Sequence, residues 1–281
     1  MSQVNAMSVD VEDYFQVLAF APYIAPADWE KWPQRVVANT ERVLELFAQA
    51  GIRATFFTLG WVAERYPHLV RQIVAAGHEL ACHGYAHAPA TQQSRQEFYQ
   101  DVARAKGILE DAAGVAVLGY RAPSYSIGPK NLWALAVLAE LGFKYSSSVY
   151  PVHHDLYGWP EAPRFPFRPK AAPELLEIPV TTVRLGGRNF PCGGGGYFRL
   201  YPYRLSRWAL SRVNREGQVA VFYFHPWELD PDQPRPSGLG FKTRLRHYLN
   251  LDRMEGRLRS LLRDFRWDTM TNVFLRPAAC A

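Results

Sequence analysis

Cysteine is scarce in this 281-residue chain: Cys82, Cys192 and Cys280 are too few and too scattered for a disulfide framework. Their scarcity fits a reducing compartment. No apolar run approaches the roughly 20 residues of a membrane-spanning helix. The first fifteen residues hold neither a basic n-region nor an apolar h-region, so no signal peptide is expected and the expected location is the cytoplasm. Internal repeats are lacking, which excludes solenoids and propellers. A net charge of only +6 with 14% aromatic residues excludes disorder and low-complexity classes. What is there is 48% apolar, enough at this length to bury a core without help from disulfides or a structural metal.

The excess charge has an address. From Leu239 onward there are nine Lys or Arg against four Asp or Glu, a net of +5. A solvated basic helix is the ordinary account of the segment 239–281. Contact with the inner face of an anionic membrane, or with a lipid-linked sugar carrier, is the sharper one, and Arg253 and Arg257, four apart, could share a helical stripe there. Nucleic acid is not expected, because no aromatic–basic interleaving or reader motif accompanies the charge.

Short strand-like runs alternate with helical stretches. Strands are expected at 4–11, 54–59, 78–83, 115–120, 143–149, 219–224 and 267–274, with 175–185 extended. Helices are expected at 36–50 (stopped by Gly51), 67–76 (stopped by Gly77), from the Ser94/Glu97 capping box to about 113, at 129–141 and 203–214, with two more within 241–265. The Pro-rich stretch 150–173 reads as a long loop, and Gly193–Gly196 as a turn without a phosphate-loop signature. This alternation implies an α/β fold with parallel strands: a distorted or incomplete (β/α) barrel of about seven strands, in a single domain over 1–281. Chemistry in such barrels sits at the carboxyl ends of the strands.

Four polar clusters fall at those ends. Asp10, Glu12 and Asp13 follow the first strand, and three acids so close repel unless a cation sits among them. His83 and His87 follow the third strand, and a four-residue spacing puts both imidazoles on one face of a helical turn. Two histidines with a carboxylate form a common open zinc site. Arg121, Pro123 and Tyr125 follow the next strand, where a stiffened arginine can hold a carboxylate in a two-pronged pair. His225 ends an apolar strand and opens His225-Pro226-Trp227-Glu228. Each cluster alone has an ordinary reading as a cap, turn or surface histidine; four at successive strand ends do not. His153-His154-Asp155 reads as loop decoration, and Cys82 as core, pointing away from His83.

This combination resembles the polysaccharide deacetylases, the family 4 carbohydrate esterases with a NodB-like domain. Ser8–Asp13 resembles their acidic first motif, His83–His87 the His-x-x-x-His second, Arg121-Ala122-Pro123-Ser124-Tyr125 the Arg-x-Pro-x-Tyr third, and Tyr223-Phe224-His225 the Leu-x-His fifth. The fourth differs: Tyr145–Ser148 carries serines where the family has an aspartate, with Trp159 as candidate for its tryptophan. Gly84 stands where Ser or Thr is usual. VDVEDYF, GGGGYFR and HPWE are similar to a subfamily associated with exosortase-linked exopolysaccharide loci.

The resemblance implies a metal-dependent hydrolase that removes N-acetyl groups from an amino-sugar polysaccharide or its precursor in exopolysaccharide biosynthesis. Glu12 or Asp13 would bind one divalent ion with His83 and His87, Zn²⁺ first, with Co²⁺ or Ni²⁺ as alternatives. Asp10 would be the general base, held ionised by a two-pronged pair with Arg121. An amide near Tyr125 would help stabilise the oxyanion, and His225 would protonate the amine. Pro123, Trp227 and Trp159 would contact the sugar. The alternatives are a ureide-type small-amide hydrolase and a catalytically inactive sugar-binding protein.

Overall fold

The computed structural model describes residues 3–154 and 157–275; Asp155, Cys280 and the end of the basic segment (276–281) lie outside them. The first half alternates strand and helix: β1 (Val4–Val11), α1 (Val36–Ala50), β2 (Thr55–Thr58), α2 (Gly60–Arg65), α3 (Pro67–Ala75), β3 (Glu79–Cys82), α4 (Arg95–Ala113), β4 (Gly119–Tyr120), α5 (Trp133–Glu140) and β5 (Tyr145–Ser146). After the Pro-rich stretch come β6 (Leu176–Glu177), a hairpin of β7 (Thr182–Leu185) and β8 (Arg188–Pro191), α6 (Gly195–Leu200), α7 (Tyr203–Arg215) and β9 (Val221–Phe224). The chain then runs through α8 (Phe241–Tyr248), α9 (Leu251–Asp264), β10 (Arg266–Asp268) and α10 (Met270–Phe274).

All strands outside the hairpin run parallel, in the order β10-β1-β2-β3-β4-β5-β6. β9 and β10 share one edge of β1, β10 along Val4–Ala6 and β9 along Ala6–Val9. The sheet curls into a half-barrel. Between β6 and β9 irregular chain spans the opening: the Val221 amide donates to Thr181 Oγ1 (2.6 Å) and the Tyr223 amide to Gly193 O (2.8 Å).

The period of two along β1 sorts its side chains. Met7, Val9 and Val11 face outward into the main apolar cluster with Val43, Phe47, Phe56, Leu258 and Leu261 from the covering elements. Ala6 faces the small inner cluster with Phe57, Ala81 and Tyr145. Asp10 and Glu12 share that inward parity, so the inner face of β1 passes from a small apolar residue to two carboxylates at its carboxyl end. Cys82 packs outward with Phe98 and Tyr120, as its opposite parity to His83 requires.

The Ser94/Glu97 capping box opens α4, with Glu97 N–H donating to Ser94 Oγ and Ser94 N–H to Glu97. The two helices expected within 241–265 are α8 and α9. Other expectations are corrected. Residues 267–274 are not one strand: β10 ends at Asp268, and Thr269 caps α10 by accepting from the Asn272 amide. Residues 115–120 yield strand only at Gly119–Tyr120, because Val115 and Ala116 stand exposed beyond the ladder with β3. The helix expected from 129 begins at Trp133, after a turn in which the Gly128 amide donates to Asn131 Oδ1 (2.8 Å).

The glycine run is not a turn either; Gly195 opens α6. A Cβ on Gly195 would lie 2.2 Å from Glu228 Oε1, and one on Gly194 2.6 Å from the Tyr223 ring. Bare backbone there lets β9 and the turn after it close directly onto α6.

Candidate active site

Four parallel strands bring their carboxyl ends to one cleft of about 200 Å³, whose lining includes Asp10, Glu12, His83, His87, Tyr125 and His225. Asp10 and Glu12 come from the end of β1, His83 follows β3, Arg121 follows β4 and His225 follows β9.

Glu12, His83 and His87, all buried, each offer one ligand atom within 4.8 Å of the others. His83 Nδ1 lies 2.8 Å from the Arg121 carbonyl. A carbonyl only accepts, so Nδ1 carries the proton and the Nε2 lone pair remains for the cluster. Burial holds the His83 imidazole down to about 4, which keeps it neutral and able to ligate. Burial pushes the Glu12 carboxyl up, but the surrounding imidazoles of His87, His225 and His83 outweigh it and bring the group down to about 2. Glu12 Oε1 accepts from Trp227 Nε1 (3.3 Å). Oε2 stands 2.9 Å from His87 Nε2 yet lacks an aligned hydrogen bond, a buried carboxylate oxygen without a donor.

The histidine pair converges without a helical turn, contrary to the expectation from its spacing. Gly84 (φ 76°) and His87 (φ 53°) are both left-handed, and the loop they shape sets the two rings 5.3 Å apart. A hydroxyl at 84 is replaced as a brace by Asp101, whose Oδ2 accepts from the Tyr85 amide (3.0 Å) and would meet any Cβ on Gly84 at 3.0 Å.

Asp10 and Arg121 form a buried pair, Nη1 to Oδ1 at 2.6 Å. The two-pronged geometry expected here is absent, because the guanidinium is shared. Nη1 also reaches Ser8 Oγ (3.0 Å), Nε reaches Ser147 O (3.2 Å) and Nη2 reaches Ser147 Oγ (3.1 Å). The plane lies 4.1 Å over Phe57. The serine run that departs from the fourth motif is thus what holds the arginine.

His225 faces the cluster from the other side, its Nε2 3.5 Å from Glu12 Oε1 and 4.0 Å from Asp10 Oδ2. Nδ1 lies 2.9 Å from Glu228 Oε1, which also accepts the His225 amide (3.0 Å). Glu228 Oε2 accepts from Arg199 Nε (2.6 Å), and Arg199 is itself tied to the carbonyls of His247 (3.0 Å) and Leu249 (2.7 Å). Burial pushes the His225 imidazole down, but Glu12, Glu228 and Asp10 raise it to about 9. Glu228 and Arg199 were missed in the sequence; the His-x-x-Glu spacing, a capping-box pattern with histidine at its head, was the available signal for Glu228.

Several expected residues serve other ends. Asp13 is not a candidate ligand: Oδ2 accepts the Arg35 (2.7 Å) and Val36 (2.9 Å) amides and Oδ1 the Tyr14 amide (2.9 Å), anchoring the start of α1. Trp227 lines the cleft but cannot stack on a sugar, since His225 (5.1 Å) and His247 (4.2 Å) already stack on its ring. Pro123 is buried behind Gly84 and Trp159 lies back in the loop, its amide donating to Tyr150 O (2.9 Å); neither lines the cleft, whereas Tyr157 and Tyr223 do. Tyr125 lines it, but its amide donates to Ala122 O (3.1 Å) and is not available to an oxyanion. The basic stripe on α9 is also spoken for: Arg257 donates to the carbonyls of Phe198 (2.8 Å) and Arg199 (2.7 Å).

Residues 29–146 match the family model described as polysaccharide deacetylase, and 147–275 match a domain of unknown function (DUF3473). The first-motif acids precede both matches, and Arg199, His225 and Glu228 lie in the second. The chain is 32% identical over 96 residues to a Bacillus cereus peptidoglycan-N-acetylglucosamine deacetylase, covering 34% of this chain and 35% of that protein. It is 34% identical over 116 residues to a Helicobacter pylori peptidoglycan deacetylase, covering 41% and 37%. The chain thus spans little more than a third of the length of these relatives. Among solved structures, a Mycobacterium smegmatis protein described as a candidate polysaccharide deacetylase superposes with a TM-score of 0.65 at 20% identity, covering 97% of this chain and 88% of that one, and so shares the fold. With matched segment and relatives in agreement, residues 29–146 carry a polysaccharide deacetylase domain of the NodB-like, family 4 carbohydrate esterase type.

Proposed function

We propose that this cleft removes acetyl groups from an N-acetylated amino sugar in a polysaccharide or its precursor, within exopolysaccharide biosynthesis. One observation carries the reading: Glu12, His83 and His87 converge between an arginine-held carboxylate, Asp10, and a carboxylate-held imidazole, His225. Amide hydrolysis needs a base for water and an acid for the departing amine, on either side of whatever polarises the carbonyl.

The donor set fits a divalent ion. Two imidazole nitrogens and one carboxylate are an open zinc site's usual complement, and a buried Glu12 oxygen without a donor is a group that needs a cation. Zn²⁺ is the first choice, with Co²⁺ or Ni²⁺ as substitutes. Bound there, the ion supplies Lewis acidity and a more acidic water. The remaining work falls to the chain. Asp10, aimed by Arg121, takes the proton of the attacking water through its Oδ2. His225, its Nδ1–H directed at Glu228, delivers a proton from Nε2 to the amine nitrogen as the C–N bond breaks, leaving acetate and a free amino sugar. Tyr125, Tyr157 and Tyr223 wall the approach to the cleft. The peptidoglycan substrates of the two relatives support a polymer of N-acetylglucosamine type.

The test is to load the full chain with Zn²⁺ and offer N-acetylglucosamine oligomers and, in parallel, small ureides. The reading predicts acetate and free amine in equal amounts from the oligomers and no turnover of ureides. Ureide turnover without acetate release would replace it with the small-amide reading.

A further inference from the structure

Large apolar side chains left in water gather in one part of this protein. Of the nine that are exposed among the described residues, seven lie between Leu185 and Leu245. Phe241 is 81% exposed, Leu200 52% and Leu245 49%. Phe241 and Leu245, one turn apart on α8, line one surface depression with Tyr248 and Leu249. Leu245 and Leu249 then meet Leu200 and Tyr197 of α6 in a second depression of about 400 Å³. That second depression shares Gly196, Tyr223 and Arg246 with the catalytic cleft. The apolar patch is therefore part of the cleft's own rim. Exposed patches of this kind mark interaction sites.

The segments that carry it are rich in basic residues. From Ile178 to Arg215 the chain has seven arginines and no acid, and from Gln233 to Leu251 it has four basic residues and no acid. Arg204 on α7, and Lys242, Arg244 and Arg246 on α8, are exposed; Arg207 on α7 is exposed too but pairs with Asp264 (2.9 Å). Between the α7 arginines and one turn beyond stand exposed Leu205 and Trp208, with the Arg212 guanidinium 5.9 Å over the indole. Exposed leucine and phenylalanine among arginines match acyl chains beneath anionic headgroups. A glycan would call instead for hydrogen-bonding groups beside ring faces.

We propose that α6, α7 and α8 form a peripheral docking face that seats the cleft rim on an anionic lipid leaflet. Phe241, Leu245 and Leu200 enter the headgroup–acyl boundary, and the flanking arginines and lysine meet the headgroups. This narrows the membrane contact expected of the basic segment 239–281 to its first helix, α8, and adds α6 and α7; on α9, Arg257 is bonded to carbonyls, Arg259 to Glu255 and Arg263 to Asp264. The inference uses no step of the deacetylase reading and is tested apart from it.

The test is flotation of the full chain with vesicles of phosphatidylcholine alone and of phosphatidylcholine with phosphatidylglycerol, at low and high salt. Binding to the anionic vesicles, weakened by salt, is expected. Phe241→Ser with Leu245→Ser should lower partitioning by roughly ten-fold. Arg204→Gln with Arg244→Gln should lower it by roughly 25-fold, about five-fold for each basic residue near the surface. Arg253→Gln on α9 should change it less than about two-fold, being remote from the leaflet. All these positions are exposed, and unchanged unfolding midpoints verify that each variant is folded. Absence of binding to the anionic vesicles, equal salt-insensitive binding to both kinds, or binding that survives both double substitutions would overturn the proposal.

Discussion

Glu228→Gln tests the most informative contact in the cleft. Glu228 is fully buried and serves three donors at once: His225 Nδ1–H and amide through Oε1, and Arg199 Nε through Oε2. Glutamine keeps the shape but carries two hydrogens where one oxygen was. If its nitrogen faces Arg199, donor opposes donor; if it faces His225, the ring and amide lose their acceptor. Either way a buried arginine or imidazole keeps its charge without a counter-charge. Breaking a buried pair in this manner costs about 3–5 kcal/mol. The same change removes one of the carboxylates that hold His225 at about 9. A proton donor works only below its own pKa, so the alkaline limb of kcat/KM should move to lower pH when this carboxylate is lost. Urea unfolding and a pH–rate profile of acetate release measure the two effects. An unmoved alkaline limb together with stability within about 0.5 kcal/mol of the parent would refute the role of Glu228.

Other expectations follow from the same geometry. Asp13→Ala strands the amides of Arg35 and Val36 at the start of α1 and should cost about 2–4 kcal/mol in urea unfolding while leaving zinc affinity unchanged, whereas Glu12→Gln should abolish zinc binding; loss of zinc in the Asp13 variant would reverse the assignment. Asp10→Asn should remove most turnover, and adding Arg121→Ala should cost little more, since groups that act as one are not additive; simple multiplication of the two losses in acetate release would count against the pair. His78, whose Nδ1 accepts the Ala54 amide, is held down from 6.5 to about 4 by burial, with Arg53 nearby. Its folded value lies below its unfolded one, so stability is full above about pH 6.5 and falls by up to about 3 kcal/mol as pH drops toward 4. His78→Asn keeps an acceptor without titrating and should flatten that part of the stability–pH curve.

Much of the site was legible because each functional side chain follows an apolar strand run, and parallel strands covered by helices present their carboxyl ends together. Asp10, Glu12, His83, Arg121 and His225 meet for that reason. Parity is equally legible: Asp10 and Glu12 share a face of β1, and Asp13 falls outside that alternation, which is why it turns to the amides of α1. The other misreadings have tertiary causes. Nothing local shows that His247, 22 positions beyond His225 in the chain, stacks on Trp227 as His225 does. Arg199 reaches Glu228 because Gly195, without a side chain, leaves the start of α6 open to the Glu228 carboxylate. The helical turn inferred from the histidine spacing gave way to two left-handed residues, and four-residue spacing cannot distinguish the two. Strand ends were least legible where ladders are two residues long, at β4, β5 and β6.

The central claim is that Glu12, His83 and His87 hold one divalent ion on which acetate release depends. Metal-stripped full chain, titrated with Zn²⁺ while acetate release from N-acetylglucosamine oligomers is followed, tests it most directly. The rate should climb from near zero, saturate at one ion per chain, and stay flat in His83→Ala and His87→Ala. A full rate in protein shown by elemental analysis to be metal-free, or an unchanged titration in the histidine variants, would contradict it.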